Sequence, residues 1–292
     1  MLIFFENVNN PATRLSRLMG MDSSSIKVHH FPDGESLVTL PMPLSKRVVI
    51  YQSLNQPNQK LVELMLSALG ARSMGAKKLI LVAPYLCYMR QDKAFGPGQV
   101  VSQKVIGTFL SNLFDAILTV DAHLHRVKDI RDVFKGCNVQ NLSTARMTAD
   151  YIERNYEDVP FLLGPDEESL QWVRAIASLC RADFGVCKKT RYGDADVKVE
   201  LPDVDLAKRS VILIDDIIST GHTISSVAEK LQRMGVQKVD CIVTHALFSR
   251  GSLTLLRRSG IRRIISTDTV PHSTNRIFVA PVIAKALKNL VT

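Results

Sequence analysis

V-I-L-I-D-D-I-I-S-T-G-H-T-I, residues Val211–Ile224, decides how the chain is read. Its first four residues are apolar and mostly β-branched, the character of a buried strand, and Arg209–Asp215 is predicted as one. Asp215 and Asp216 stand at the end of that run. Ser219, Thr220, Gly221, His222 and Thr223 then lead into a helical pattern over Thr223–Met234. In open α/β sheets, ligands bind outside the carboxyl ends of the strands, so the acids and the turn are expected at a binding crevice. The turn places backbone N–H groups and three hydroxyls at a helix N-terminus, which favours an anion. Gly221 lacks the Cβ that would hold an anion off the backbone. The neighbouring acids accept hydrogen bonds from hydroxyls, which a phosphate does not offer. The string therefore suits a ligand carrying both phosphate and sugar hydroxyls. It is not a Walker loop, because G-x-x-x-x-G-K-[ST] is absent.

The same rhythm extends in both directions. Towards the N-terminus, strands are predicted at Val48–Gln52, Lys78–Ala83 and Ala116–Asp121, alternating with helices at Gln59–Ser73 and Val100–Leu113. The second half continues with a helix at Thr144–Asn155, N-capped by Ser143, a strand at Phe161–Gly164, a helix at Ser169–Cys180 and strands at Asp183–Cys187 and Lys238–His245. A helix at Leu253–Ser259, strands at Ile264–Thr267 and Arg276–Phe278, and a helix at Pro281–Leu290 close the chain. Such alternation predicts parallel sheets covered by helices on both faces. The 292 residues accommodate two domains, and 46% hydrophobic residues let each bury a core. The halves meet near Cys137–Ser143 without a Pro/Gly-rich linker, giving domains at 1–140 and 141–292.

A net charge of +9 raises nucleic acid and membrane surfaces as partners. No dense Lys/Arg block is present, and one Trp and six Tyr make a poor base-stacking platform, so nucleic acid is not expected. The five cysteines are odd in number and form no C-x-x-C pair, which argues against a disulfide framework or zinc site. MLIFFENVNN has no basic segment before a long apolar run, and no stretch reaches membrane-span length. A cytoplasmic protein without a membrane partner is expected.

The Val211–Thr223 string resembles the loop shared by type I phosphoribosyltransferases and ribose-phosphate diphosphokinases. His222 departs from the small residue common there and offers the phosphate one more contact. The first half resembles the diphosphokinases specifically. F-P-D-G-E, Phe31–Glu35, is a strong turn signal, and the resemblance implies that Phe31, Asp33 and Glu35 recognise adenine, commonly in a neighbouring subunit's site. A homo-oligomer, at least a dimer, follows from that. A-P-Y-L-C-Y-M-R-Q-D-K-A-F-G-P-G-Q, Ala83–Gln99, places Arg90 and Gln91 at the family's nucleotide-binding positions. T-V-D-A-H-L-H-R, Thr119–Arg126, places His123 beside the nucleotide phosphates and a metal. In the second half, G-P-D-E-E-S, Gly164–Ser169, matches a segment whose acid, Asp166, organises the metal. Glu167 and Glu168 replace small residues there, which suggests an archaeal-type subgroup. K-K-T-R, Lys188–Arg191, matches the base of a flap with catalytic Lys189 and Arg191.

The resemblance implies two type I phosphoribosyltransferase-like domains, each a mainly parallel sheet flanked by helices. The first would hold ATP. The second would hold ribose 5-phosphate through Asp215, Asp216, Ser219, Thr220, Gly221, His222 and Thr223. Mg²⁺ is the implied cofactor, and transfer of diphosphate from ATP the implied reaction. Two alternatives stay open: a type I phosphoribosyltransferase, which leaves the Phe31 and Arg90 motifs idle, and a non-catalytic regulatory relative, against which intact Lys189, Arg191, His123 and Asp216 speak.

Overall fold

Short runs of Val, Ile and Leu become the central strands of two separate sheets, each in its own unit. The computed structural model describes residues 1–94, 96–191 and 197–291, the side chains at 189–191 and 197–198 excepted.

The first unit comprises Met1–Ser143, Thr269–Pro271 and Val279–Thr292. Its strands are β1 (Leu2–Phe5), β2 (Ser23–His30), β3 (Ser36–Thr39), β4 (Arg47–Tyr51), β5 (Lys78–Val82), β6 (Ala116–Val120) and β7 (Asn138–Leu142), ordered β3-β2-β1-β4-β5-β6-β7. All pairs are parallel except β2 with β3, a hairpin. Helices α1 (Asn9–Met19), α2 (Pro57–Ser73) and α3 (Ser102–Leu113) connect them. Ile3, Val48, Ile50, Leu79, Ile80, Leu81 and Ile117 are completely buried in the sheet. Each such side chain contributes about 1.5–3 kcal/mol relative to exposure.

The last helix, α8 (Ala280–Val291), belongs to this first unit, not to a 141–292 domain. It buries Ile283, Leu287 and Leu290 and packs on α1 and β6. Lys78 Nζ donates to the Leu290 carbonyl at 2.6 Å and Arg47 donates to that of Val291, so two strand-initial cations satisfy the helix end. The other expected boundary, at 140/141, moves only to Ser143/Thr144.

The second unit comprises Thr144–Asp268 and His272–Phe278. Its six-stranded sheet is built from β8 (Phe161–Gly164), β9 (Phe184–Val186), β12 (Ser210–Ile218), β13 (Lys238–Ala246), β14 (Ile261–Thr267) and β15 (Asn275–Ile277). The order is β15-β14-β13-β12-β8-β9, parallel throughout. β10 (Lys188–Arg191) and β11 (Val197–Glu200) form a separate antiparallel hairpin. Period-two alternation divides the core. Val211 and Leu213 pack with Val227 and Leu231 of α6 (His222–Arg233), while Ile212 and Ile214 pack with α4 (Ala145–Asn155) and α5 (Leu170–Cys180). Helix α4 starts one residue later than expected. Thr144, not Ser143, holds its N-cap position and makes no side-chain capping bond.

Asp240, near the start of β13, is an internal anchor. Its side chain is 2% exposed and accepts a bidentate pair from Arg262 at 3.0 and 2.8 Å, and further bonds from Arg263 (2.9 Å) and Tyr156 Oη (2.8 Å). Burial opposes its charge, but the Arg262, Arg263 and Tyr156 bonds outweigh it and hold the carboxyl below its ordinary value. Asp240→Ala leaves Tyr156 Oη and the partly exposed Arg262 and Arg263 without their acceptor, and a loss of about 1–3 kcal/mol is expected in denaturant titrations. Because the folded pKa is depressed, the wild-type contribution is full above the ordinary carboxylate range and fades as pH falls through the folded value. The difference between the two proteins should therefore shrink in acid.

Candidate functional site

Strand β12 runs to Ile218, three residues beyond the expected end, because its ladder with β13 continues through Asp215↔Val243, Ile217↔His245 and Ile218↔Ala246. Pairing with β8 on the other flank ends at Leu213. The two acids thus lie inside a strand, at the level where one neighbour has stopped and its flank opens. Asp216 is 3% exposed, and its N–H donates to Asp215 Oδ1 at 3.0 Å. Burial, then the charge of Asp216, then that of Asp166 raise the Asp215 carboxyl well above the ordinary range. The three acids repel one another at Asp215, and hydroxyl donors or a cation placed there would be favoured.

Asp166 follows β8. It takes an N-cap position, and its side chain accepts from the Ser169 N–H at 3.3 Å. Gly164 makes this turn feasible, since a Cβ there would stand 2.1 Å from Ser169 Oγ. Residues Ser219–Thr223 follow β12. Gly221 is the N-cap of α6 with φ +82°, and no side chain caps the helix. Its first N–H groups are therefore available to an anion, as the sequence implies. Two structural features favour glycine here: the left-handed φ, and a Cβ at Gly221 that would press on Leu256 at 3.2 Å.

The turn after β13 holds the loop. The Ser219 carbonyl accepts from Ser252 Oγ (2.7 Å) and the Ser249 N–H (3.1 Å). Ser252 begins α7 (Ser252–Arg258). Ser249 and Ser252 carry no capping box in the sequence, and the helix is N-capped by Gly251 without a side-chain bond, so their grip on Ser219 has no local signal. Lys189 and Arg191 lie on β10, paired with Val199 and Val197. Their side chains lie outside the described residues, as do residues 192–196.

In the first unit the residues expected on the nucleotide side occupy three loops. Phe31 sits at the tip of the β2–β3 hairpin, 41% exposed, with its ring edge-on to His29 at 4.8 Å. The tip is closed by the Phe31 N–H to the Glu35 carbonyl (2.8 Å) and the Glu35 N–H to Asp33 Oδ1 (3.2 Å). Arg90 and Gln91 are exposed after β5, and His123 lies after β6. Arg126 Nη1 reaches the nearly buried Asp92 at 2.7 Å, so one ion pair joins the Arg90–Gln91 loop to the His123 loop. Each loop carries a non-glycine residue at positive φ, Tyr88 at 62° and Asp121 at 38°. Strain of this kind, about 1–3 kcal/mol per residue, collects at ligand sites. The His123 and His125 rings meet edge-to-face at 3.8 Å. Phe31 is not brought to these two loops by any described contact. Among the described residues, no helix is long and apolar enough to cross a membrane.

Comparisons with known proteins agree with this arrangement. Residues 1–113 match the family model for the N-terminal domain of ribose phosphate pyrophosphokinase, and residues 140–282 that for the phosphoribosyl transferase domain. The ribose-phosphate pyrophosphokinase of Methanopyrus kandleri is 33% identical over 95% of this chain and 94% of its own. That of Thermococcus kodakarensis is 30% identical over 92% and 94%. The fold is similar to that of phosphoribosylpyrophosphate synthetase from Mycobacterium smegmatis, with a TM-score of 0.86, 24% identity, and coverage of 100% of this chain and 98% of that one. With both halves matched in order and two relatives at 30% identity or more, the chain belongs to the ribose-phosphate pyrophosphokinase (diphosphokinase) family.

Proposed function

We propose that the protein transfers the terminal diphosphoryl group of ATP to the anomeric oxygen of ribose 5-phosphate, releasing AMP. The observation that carries this reading is in the second unit, where buried acids stand beside an uncapped helix N-terminus, the complement of sugar hydroxyls and a phosphate. The anomeric oxygen attacks the β-phosphorus of ATP. A bond forms between them, the bond from the β-phosphorus to the α,β-bridging oxygen breaks, AMP leaves with that oxygen, and the hydroxyl proton passes to solvent.

Ser219–Thr223 hold the 5-phosphate through backbone N–H groups and hydroxyls, and Asp215 and Asp216 accept from the ring hydroxyls. Arg90 and Gln91 hold ATP, with the planar Arg fork suited to phosphate oxygens. Lys189 and Arg191 stabilise charge on the transferred group. The hard carboxylate oxygens at the second-unit site fit a divalent cation of the Mg²⁺ type. We assign its protein contacts to His123 and Asp166. When bound with the nucleotide, Mg²⁺ neutralises phosphate oxygens and polarises the transferred group. The exposed Phe31 hairpin would serve a second copy of the chain, together with Asp33 and Glu35, making the enzyme a homo-oligomer.

A type I phosphoribosyltransferase would leave the first unit unused, and that unit matches the pyrophosphokinase model itself. The deciding assay is incubation with Mg²⁺, ATP and ribose 5-phosphate. AMP and phosphoribosyl diphosphate should appear in equal amounts. ADP in place of AMP, or no nucleotide product dependent on the sugar phosphate, would overturn the reading.

A further inference from the structure

The two sheets repeat one plan. Reading β7-β6-β5-β4-β1-β2 in the first unit beside β15-β14-β13-β12-β8-β9 in the second matches them strand for strand. In each, winding reverses between the central pair, β1 and β4 or β8 and β12. That switch point is where open α/β sheets bind ligands. In the second unit it carries Asp166 and the Asp215–Thr223 loop. In the first unit the corresponding loops, after β1 and β4, border a pocket of about 500 Å³ that the proposed reaction does not use. The size suits a small organic ligand.

Its chemistry differs from that of its counterpart. The turn into α2 has Gln56 at the N-cap with φ 51° and Pro57 next, so a side chain and a missing N–H stand where the second unit has Gly221 and free donors. Glu6 and Glu63 add negative charge, and the pocket's lysine, Lys60, already donates its Nζ to the Ser53 carbonyl (2.9 Å) and Asn55 Oδ1 (2.8 Å). A phosphate is disfavoured on both counts. The pocket is instead lined by carboxamides, among them Asn7, Gln52 and Gln59, with Phe5, Ile26 and Val28 as apolar wall. Gln59 Nε2 (2.9 Å) and His30 Nε2 (2.8 Å) both lie on Glu63 Oε1, which fixes that edge. Gln52 is 1% exposed, and its Oε1 has no hydrogen-bond partner. A buried acceptor left unpaired is desolvated without compensation, a cost that a ligand donor would recover. Flat apolar walls with carboxamide edges fit a heterocycle bearing N–H donors, as carboxamides fit base edges in nucleic acids.

From this geometry we infer that the first unit's switch-point pocket binds the base of an unphosphorylated nucleoside. The test is calorimetric titration of the full chain with adenosine, guanosine, cytidine and uridine in turn. At least one should bind saturably, one per chain, and Asp216→Asn should leave that binding intact. Gln52→Met should weaken it at least tenfold without lowering the ligand-free melting temperature, since it removes an unpaired oxygen at similar volume. Asn7→Ala, at an exposed position, should weaken it several-fold and stands in should the Met variant fail to fold. The inference is overturned if no nucleoside binds saturably, if both pocket variants bind like the wild type, or if Asp216→Asn abolishes binding.

Discussion

Asp216→Asn should lower kcat/KM for ribose 5-phosphate by about 10- to 100-fold, the worth of one hydrogen bond to a charged group at roughly 1.5–3 kcal/mol. The side chain is 3% exposed on β12, so the nearly isosteric amide keeps the packing while removing the charge. The amide keeps one oxygen to accept with and turns an NH₂ towards hydroxyls that need acceptors. The substitution also removes the second-largest influence raising the Asp215 carboxyl, leaving burial as the main one. Asp215 should then ionise at lower pH, shifting the acid limb of the kcat/KM profile downwards. Relieved repulsion should leave the variant no less stable than the wild type, so a melting curve separates lost binding from lost folding. A kcat/KM within twofold of wild type would remove Asp216 from the sugar site.

Lys189→Ala should lower kcat by about 10²- to 10³-fold, the usual effect of deleting one donor aimed at developing charge, with the ATP dissociation constant changed by less than about threefold. Lys189 is the second residue of β10, paired with Val199, on the chain segment leading into residues 192–196. A lysine acts as a point charge on a flexible stem, and Lys189→Arg should restore only part of the rate. Single-turnover rates beside equilibrium ATP binding distinguish the outcomes. Equal losses in binding and rate would make Lys189 a ground-state contact, and near-normal turnover would exclude it from catalysis.

Much of this architecture was legible in the sequence because central parallel strands are buried on both faces and read as unbroken apolar runs, as Val48–Ile50, Leu79–Val82 and Val211–Ile214 do. The edges were not. β2, S-S-S-I-K-V-H-H, is polar at six of its eight positions, and β7, N-V-Q-N-L, carries little apolar signal, since only part of each meets the core. β1, with four buried residues, was too short beside the chain start to stand out. Asp166 and His123 could be named because each follows a strand, whereas Asp215, Asp216, Lys189 and Arg191 lie within strands. The couplings could not be named, since the like-charge contact of Asp166 with Asp215 and the clasp of Ser252 on Ser219 join segments tens of residues apart. Nor could local pattern show which unit α8 joins.

That return of α8 bears on how the protein is made. Domains of a nascent chain commonly fold as they emerge, the N-terminal one first. Here the first unit lacks its closing helix until Val279 onward has been synthesised, by which point every segment of the second unit is already available. The earlier-translated unit is thus the later one to be completed, and a premature stop just after Phe278 would cripple the first unit while sparing the second.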